Sequence, residues 1–181
     1  LSNAQTDFKD TTLDKIPDIE KAKVFNELAE RSAYRSDVNK AIEYAFKALE
    51  YAQRFENVEQ EAIAYNFLGI SHYNKDDFEN ALQYYQKSLK ATMKVGEKEE
   101  VANLMRKIGI VYVNLKRYKK ALIYFEQTLN IYKGLGYSNR VAEAYSNIGL
   151  IYYSWKIYED ALENYKSALT IYEELQNKYE I

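Results

Sequence analysis

The sequence predicts an all-α protein made of four stacked helix hairpins. Four alanines, Ala41, Ala81, Ala121 and Ala161, are spaced 40 residues apart, and a leucine follows each of them eight residues later. Such a period indicates an array, because one supersecondary unit cannot bury its own apolar face and must stack on copies of itself. The composition agrees with an ordered helical protein, since 47% of the residues are hydrophobic, 29% are charged and one is proline.

The repeats predict one quasi-linear domain that extends over residues 22–181. The opening residues 1–4 are typical of an expression scar, and residues 5–21 are expected to form an N-terminal capping segment with a short helix. Within that segment, Pro17 and Asp18 indicate a stop followed by a helix start. The predicted repeats are 22–61, 62–101, 102–141 and 142–181.

The first helix of each repeat follows from apolar spacing. In the second repeat Tyr65, Leu68, Gly69 and His72 occupy positions i, i+3, i+4 and i+7. Asn57, followed by Gln60, is similar to a capping box at the start of this helix. We expect first helices near residues 19–35, 58–75, 98–115 and 138–155.

The second helix of each repeat begins after a polar turn and ends at a glycine. Asp77, and its equivalent Asp37, can cap the helix by accepting hydrogen bonds from its free amides. Gly96 and Gly136 can supply the left-handed residue that commonly ends a helix. We expect second helices near residues 38–54, 77–95, 117–134 and 157–176.

Small residues predict where the two helices of a hairpin cross. Ala29, Gly69, Gly109 and Gly149 recur on the first helices, and the periodic alanines recur on the second. Aromatic side chains then fill the space beside each crossing, which assigns many of the 19 tyrosines to the core, including Tyr85, Tyr145, Tyr152 and Tyr165. The alternative for these tyrosines is a stacking platform for bases or ligands.

These features together resemble the tetratricopeptide repeat. The resemblance rests on Leu68–Gly69 and its equivalents, an aromatic residue such as Tyr65 four positions before the glycine, and the periodic alanines with an aromatic residue four later. The usual repeat has about 34 residues, whereas these have 40, and the first repeat has Ala29 and Ser32 in place of glycine and tyrosine. The longer variety is similar to repeats of bacterial signalling proteins. The resemblance implies a right-handed αα superhelix whose first helices line a concave groove that holds a peptide or a partner's helix.

The composition argues against several kinds of chemistry. The chain has no cysteine and a single histidine, so neither thiolate chemistry nor a two-histidine metal site is expected. We expect His72 to be a packed or hydrogen-bonded residue. The six glycines form no phosphate loop, and no nucleophile, base and orienting group can be placed together, so we expect no cofactor and no enzyme activity. The net charge of −2 disfavours nucleic acid, and no apolar run is long enough to span a membrane.

The candidate binding surface is the face of the first helices that points away from the second helices. Steps of three and four residues keep side chains on one stripe of a helix. The stripe is mainly apolar with amides and cations between, which suits an extended peptide or an amphipathic helix. The alternative for Ile70, Ile110 and Leu150 is that they seal adjacent first helices. In the first repeat the stripe includes Lys23, Asn26 and Glu27. The predicted site residues are Asn66, Phe67, Ile70, Tyr73, Asn103, Arg106, Lys107, Ile110, Asn147, Leu150 and Tyr153.

Charge is distributed unevenly along the repeats. Residues 102–141 contain eight lysines and arginines and one glutamate, whereas residues 142–181 contain three lysines and seven acidic residues. In some tetratricopeptide domains a clamp of lysine, arginine and asparagine holds a terminal carboxylate, and Arg106, Lys107 and the two asparagines Asn66 and Asn103 resemble part of it. For Lys116–Lys120 we expect a solvated edge or a contact with the acidic fourth repeat of another copy.

The sequence therefore predicts a non-catalytic module that binds a protein or peptide and belongs to a larger bacterial signalling protein. The alternative is a self-assembling scaffold that uses the charged third and fourth repeats. The compartment stays open between cytoplasm and periplasm, because a chain without cysteine is compatible with either.

Overall fold

The computed structural model describes residues 15–179, with side chains up to Gln176, and over this stretch it confirms the all-α solenoid. Of the predicted N-terminal capping segment, residues 5–14 lie outside the described residues, residues 15–17 form a turn, and residues 18–21 belong to the first observed helix. Every observed helix begins and ends within three residues of the predicted position. The eight helices are α1 Asp18–Tyr34, α2 Val38–Arg54, α3 Val58–Tyr73, α4 Phe78–Val95, α5 Lys98–Asn114, α6 Tyr118–Leu135, α7 Ser138–Ser154 and α8 Tyr158–Tyr179.

The local signals in the sequence set most of these boundaries. The side chains of Asp37 and Asp77 accept hydrogen bonds from the first-turn amides of α2 and α4, as predicted. Gly96 and Gly136 end α4 and α6 with φ angles of 90° and 74°, in the left-handed region that glycine adopts without strain. Pro17 directly precedes α1.

The predicted capping box at the start of α3 is only half formed. Asn57 accepts a hydrogen bond of 3.1 Å from the amide of Gln60. The side chain of Gln60 does not reach back, because its Oε1 accepts a 3.0 Å hydrogen bond from Nδ2 of Asn26 in α1. The carboxamide therefore joins two repeats instead of completing the cap.

The hairpins close where an aromatic ring of the second helix rests on a glycine of the first. A Cβ atom added to Gly69 would lie 2.5 Å from the ring of Tyr85, and one added to Gly109 would lie 2.5 Å from the ring of Phe125. Gly149 is less tightly covered, since the nearest ring atom of Tyr165 would be 3.0 Å away. The predicted close crossings are confirmed, and their tightness excludes a larger side chain.

Stacking of the hairpins buries apolar side chains in three clusters along the array. Each helix packs against the next along the chain, and α1 also packs against α3. One buried cluster runs from Ala81 in α4 to Ile151 in α7, and Leu68 packs with Ala29 and Ala45 to join the first two hairpins. His72 is a packed and hydrogen-bonded residue, as predicted, with Nδ1 2.9 Å from Oδ2 of Asp77. None of the described helices is long and apolar enough to cross a membrane.

The glycine contacts predict opposite effects for two alanine substitutions. Gly109→Ala should lower the unfolding free energy by about 1 to 3 kcal/mol, because the new methyl group overpacks against Phe125. Gly134→Ala in α6 should raise it by up to about 1 kcal/mol, because no atom lies within reach there and alanine is the better helix former. Urea unfolding measures both. Equal effects of the two substitutions would contradict the close crossing.

Candidate functional site

Three successive first helices share one concave surface. A cavity of about 400 Å³ is lined by residues of α1, α3 and α5. Four of the predicted site residues meet there, and the first repeat adds three residues to the wall. The lining residues are Asn66, Phe67, Ile70 and Lys107, together with Glu30, Ala33, Tyr34 and Asn74.

Lys107 also faces a second, smaller cavity. Tyr73, Tyr85, Lys107 and Ile110 line a space of about 110 Å³. The sequence predicts Tyr85 in the core, and its ring does lie against Gly69, but Tyr85 also lines this cavity. The Tyr73 hydroxyl accepts a 3.2 Å hydrogen bond from Nδ2 of Asn114, which ties α3 to α5 along this wall.

The ammonium of Lys107 is held between these cavities without a carboxylate partner. Its Nζ donates a 2.8 Å hydrogen bond to Oδ1 of Asn66 and lies 5.8 Å from the ring centroid of Tyr85. Burial lowers the pKa of Lys107 to about 8, an effect that Glu100 opposes. Within the part of the chain that the structure describes, Lys107 forms no ion pair. At neutral pH the group is therefore mostly a cation that lacks a counterion.

The neighbouring Asn103 and Arg106 are arranged differently from each other. Oδ1 of Asn103 accepts a 2.7 Å hydrogen bond from the Tyr132 hydroxyl, and its Nδ2 donates to Glu100 at 3.3 Å. Both ends of the Asn103 amide are thus engaged within the protein. Nε of Arg106 is buried and has no hydrogen-bond partner among the residues that the structure describes. Burial raises the pKa of Tyr132, while Arg106 opposes that rise.

The predicted residues of the fourth repeat lie on the equivalent face of α7. Asn147 is half-buried, Leu150 is 43% exposed, and Tyr153 is 58% exposed with its ring 5.8 Å from that of Tyr158. Ile70 and Ile110 pack partly against the core, as a seal between first helices requires. Leu150 is the most accessible of the three aliphatic residues.

In the first repeat, the predicted stripe residue Asn26 is buried at a junction between helices, and residues outside the prediction line the groove. Asn26 is 3% exposed and donates hydrogen bonds to the main chain and side chain of Gln60, so it serves the junction of α1 and α3. Glu30 and Ala33 line the groove instead. Both follow from the 40-residue period, because they are the equivalents of Ile70 and Tyr73. That signal was present and was not carried into the least regular repeat.

Two further cavities lie elsewhere on the array, one of which shares residues with the predicted stripe. One of about 310 Å³ lies among α3, α4 and α5 and includes Ile63 and Asn66 of the predicted stripe. The other, about 290 Å³, lies at the turn between α5 and α6, and all of its lining residues are cationic or aromatic: Lys116, Arg117, Tyr118, Lys119, Lys120 and Trp155. No group of three acidic or histidine side chains in the described region is placed to hold a metal ion.

Comparisons with known proteins agree with this fold. The family model described as tetratricopeptide repeat matches residues 59–134 and 100–174. The apo form of RapI has 23% identity and a TM-score of 0.84 over 93% of this chain and 62% of that one. A signal-transduction ATPase with a tetratricopeptide repeat sensor, from Pyrococcus horikoshii, has 22% identity and a TM-score of 0.83 over 91% of this chain and 26% of that one.

A third similar structure is a Rap protein complexed with competence and sporulation factor, at 20% identity and a TM-score of 0.77 over 90% of this chain and 45% of that one. The chain spans less than two thirds of the length of each of these three proteins. At these identities the likeness shows the fold alone. No curated protein matches the chain in sequence.

The buried lysine predicts a rise of stability with pH. The ordinary pKa is 10.5 and the folded value is about 8, so between these values the unfolded chain binds more protons at Lys107 than the folded one. The unfolding free energy of the wild type, measured relative to Lys107→Met, should therefore increase by about 2 kcal/mol from about pH 7 to about pH 9.5. Urea titrations at several pH values measure the difference. Parallel pH profiles for the two proteins would show that Lys107 is not desolvated.

Proposed function

Since this chain belongs to the tetratricopeptide repeat family, we propose that it is a non-catalytic module that binds a peptide or a helical segment in the groove of its first helices. The observation that carries the proposal is the cavity of about 400 Å³ to which three successive repeats contribute side chains. A surface assembled from several repeats suits an elongated ligand, because neighbouring ligand residues can meet neighbouring repeats.

Apolar contacts supply the affinity in this proposal. Phe67, Ile70 and Ile110 present half-buried side chains at the groove cavities. Covering such a side chain completely contributes up to roughly 1.5 to 3 kcal/mol, less what is already buried in the free protein. The amides of Asn66 and Asn147 have donors that form no hydrogen bond within the described residues, so they can hold the main chain of a ligand.

Lys107 supplies the polar anchor. A carboxylate of the ligand would provide the counterion that the ammonium lacks, and charge-assisted hydrogen bonds of this kind are among the strong ones. Arg106 adds a second cation on the same helix. The ligand of this groove is therefore proposed to combine hydrophobic side chains with at least one acidic group.

The setting proposed for the module is a larger bacterial signalling protein. One of the similar solved structures is a signal-transduction ATPase with a tetratricopeptide repeat sensor, and another is a Rap protein complexed with competence and sporulation factor. The similarity covers most of this chain and only part of each of those proteins, as expected for a sensory or interaction portion.

Selection from a random decapeptide display library on the immobilised protein tests the proposal. Peptides recovered in this way should bind Lys107→Met and Ile70→Ala at least about 10-fold more weakly than wild type, a difference of about 1.4 kcal/mol. Gln127→Ala, at an exposed position of α6, is the matched control and should bind as wild type does. Circular dichroism verifies that each variant is folded. If the selected peptides bind the wild type and all three variants with the same affinity, the groove is not their binding site.

A second candidate function is self-association through unlike charges. The cavity lined only by cationic and aromatic residues favours it, because the fourth repeat carries the acidic residues that could enter such a cavity in another copy. Within the described residues, Lys116 and Lys119 form no ion pair, while Arg117 pairs with Glu79 at 2.7 Å.

Sedimentation at two salt concentrations tests this second function. An association driven by Lys116 and Lys119 should weaken as salt rises, because screening reduces attraction between exposed charges. A Lys116→Gln, Lys119→Gln double variant should associate more weakly than wild type at low salt. A protein that sediments as a monomer at all concentrations and salt levels would exclude this function.

A further inference from the structure

The cavity of about 310 Å³ among α3, α4 and α5 is, we propose, a pocket for a basic side chain of the bound peptide, a lysine or an arginine. This inference rests on the proposed groove function and specifies the ligand that the groove accepts. The ligand would then carry a positively charged residue close to the acidic residue that binds Lys107.

The floor of the pocket is apolar. Ala62 and Leu104 are buried, and Ile63 is half-buried beside them. A lysine or arginine carries its charge at the end of a long aliphatic stem, and such a stem packs on apolar surface while the head stays near polar groups. The floor therefore matches the stem and leaves the charge to the rim.

The rim of the pocket is acidic. Glu59 at the start of α3, and Glu97 and Glu100 at the start of α5, line the opening, and no cation lines it. None of the three forms an ion pair within the described part of the chain. Glu100 has one hydrogen-bond partner, Asn103 at 3.3 Å. Three carboxylates at the opening, with no cation among the lining residues, give the pocket a negative potential that favours a cationic group of the ligand.

An unsatisfied polar group inside the pocket supports a ligand independently of these charges. Thr92 in α4 lines the cavity and is only 6% exposed. Its hydroxyl forms no hydrogen bond within the described residues. By contrast, the hydroxyl of Ser88, one turn earlier in the same helix, donates a hydrogen bond of 2.8 Å to the carbonyl of Ala62. The Thr92 oxygen is not one of the fully buried atoms that lack a partner, so we infer that it faces the open space of the cavity. A guanidinium or ammonium in the pocket would give the Thr92 oxygen a donor.

Asn66 links this acidic pocket to the cationic site. It lines both the 310 Å³ cavity and the 400 Å³ groove cavity, and its Oδ1 accepts the hydrogen bond from Lys107. Asn66 is thus shared by the acidic pocket and by the groove cavity, whose lining includes Lys107 of α5 and Glu30 of α1. A ligand that places a basic side chain in the acidic pocket and an acidic one at Lys107 must carry the two close together, and a reversed ligand would put like charges against the three glutamates and against Lys107.

The test uses the decapeptides recovered by display selection on the wild-type protein. Those that depend on Lys107 and Ile70 should be enriched in lysine or arginine, and replacing that residue by its uncharged isostere, citrulline for arginine or norleucine for lysine, should weaken binding at least about 10-fold. In the Glu59→Gln, Glu97→Gln double variant the same replacement should change affinity less than about threefold. Glu126→Gln, which removes an exposed carboxylate from α6, should retain the full effect.

The chosen glutamates leave the rest of the site intact. Glu97 precedes α5 without a side-chain capping bond, so its replacement removes no cap. Glu100 is left in place because it acts on the pKa of Lys107. If the peptides depend on Lys107 and Ile70 but bind equally with and without the positive charge, the acidic pocket is refuted and the groove stands. If no peptide depends on Lys107 or Ile70, the groove function itself is refuted.

Discussion

The approach of an aromatic ring to a glycine is the contact on which the rest of this molecule depends. Rings of Tyr85 and Phe125 occupy the space that a Cβ atom would need at Gly69 and Gly109. Each contact fixes how closely the two helices of a hairpin cross, and three such contacts repeat at the same period. Because the crossings are alike, the hairpins stack in register and their first helices come to lie side by side. The groove is a consequence of that packing.

The site illustrates how an array of similar units acquires a specific surface. The residues that build the core recur at every period, whereas those that face the groove do not. Lys107 has Phe67 and Asn147 as its equivalents, and Ile70 has Glu30. Burial of the Lys107 ammonium costs stability, and under the proposed function an acidic group of the ligand would supply its counterion. The groove-facing positions can therefore carry different charges in different repeats, because the packing of the core does not restrict them.

The fold could be predicted almost completely because its signals are local and repeated. Asp77 and Gly96 mark helix ends by their own hydrogen-bonding and backbone preferences, and the period places every later repeat once one is understood. The side-chain contacts of the candidate site were harder to predict from the sequence. The hydrogen bonds from Lys107 to Asn66 and from Asn26 to Gln60 join different helices, and they depend on side-chain rotamers that the sequence does not reveal. The periodicity of the first helices also gives no sign that Thr92 of α4 lines a pocket together with residues of α3 and α5.

The claim that ligands lie along the first helices is tested most directly by mapping a selected peptide onto the amide resonances of the isotope-labelled protein. Shift changes should concentrate in α3, α5 and α7, with the largest near Asn66, Lys107 and Ile110, while the outward faces of α4 and α6 stay unchanged. Changes confined to α4, α6 and α8 would contradict the account, because they would place the ligand on the surface opposite the groove.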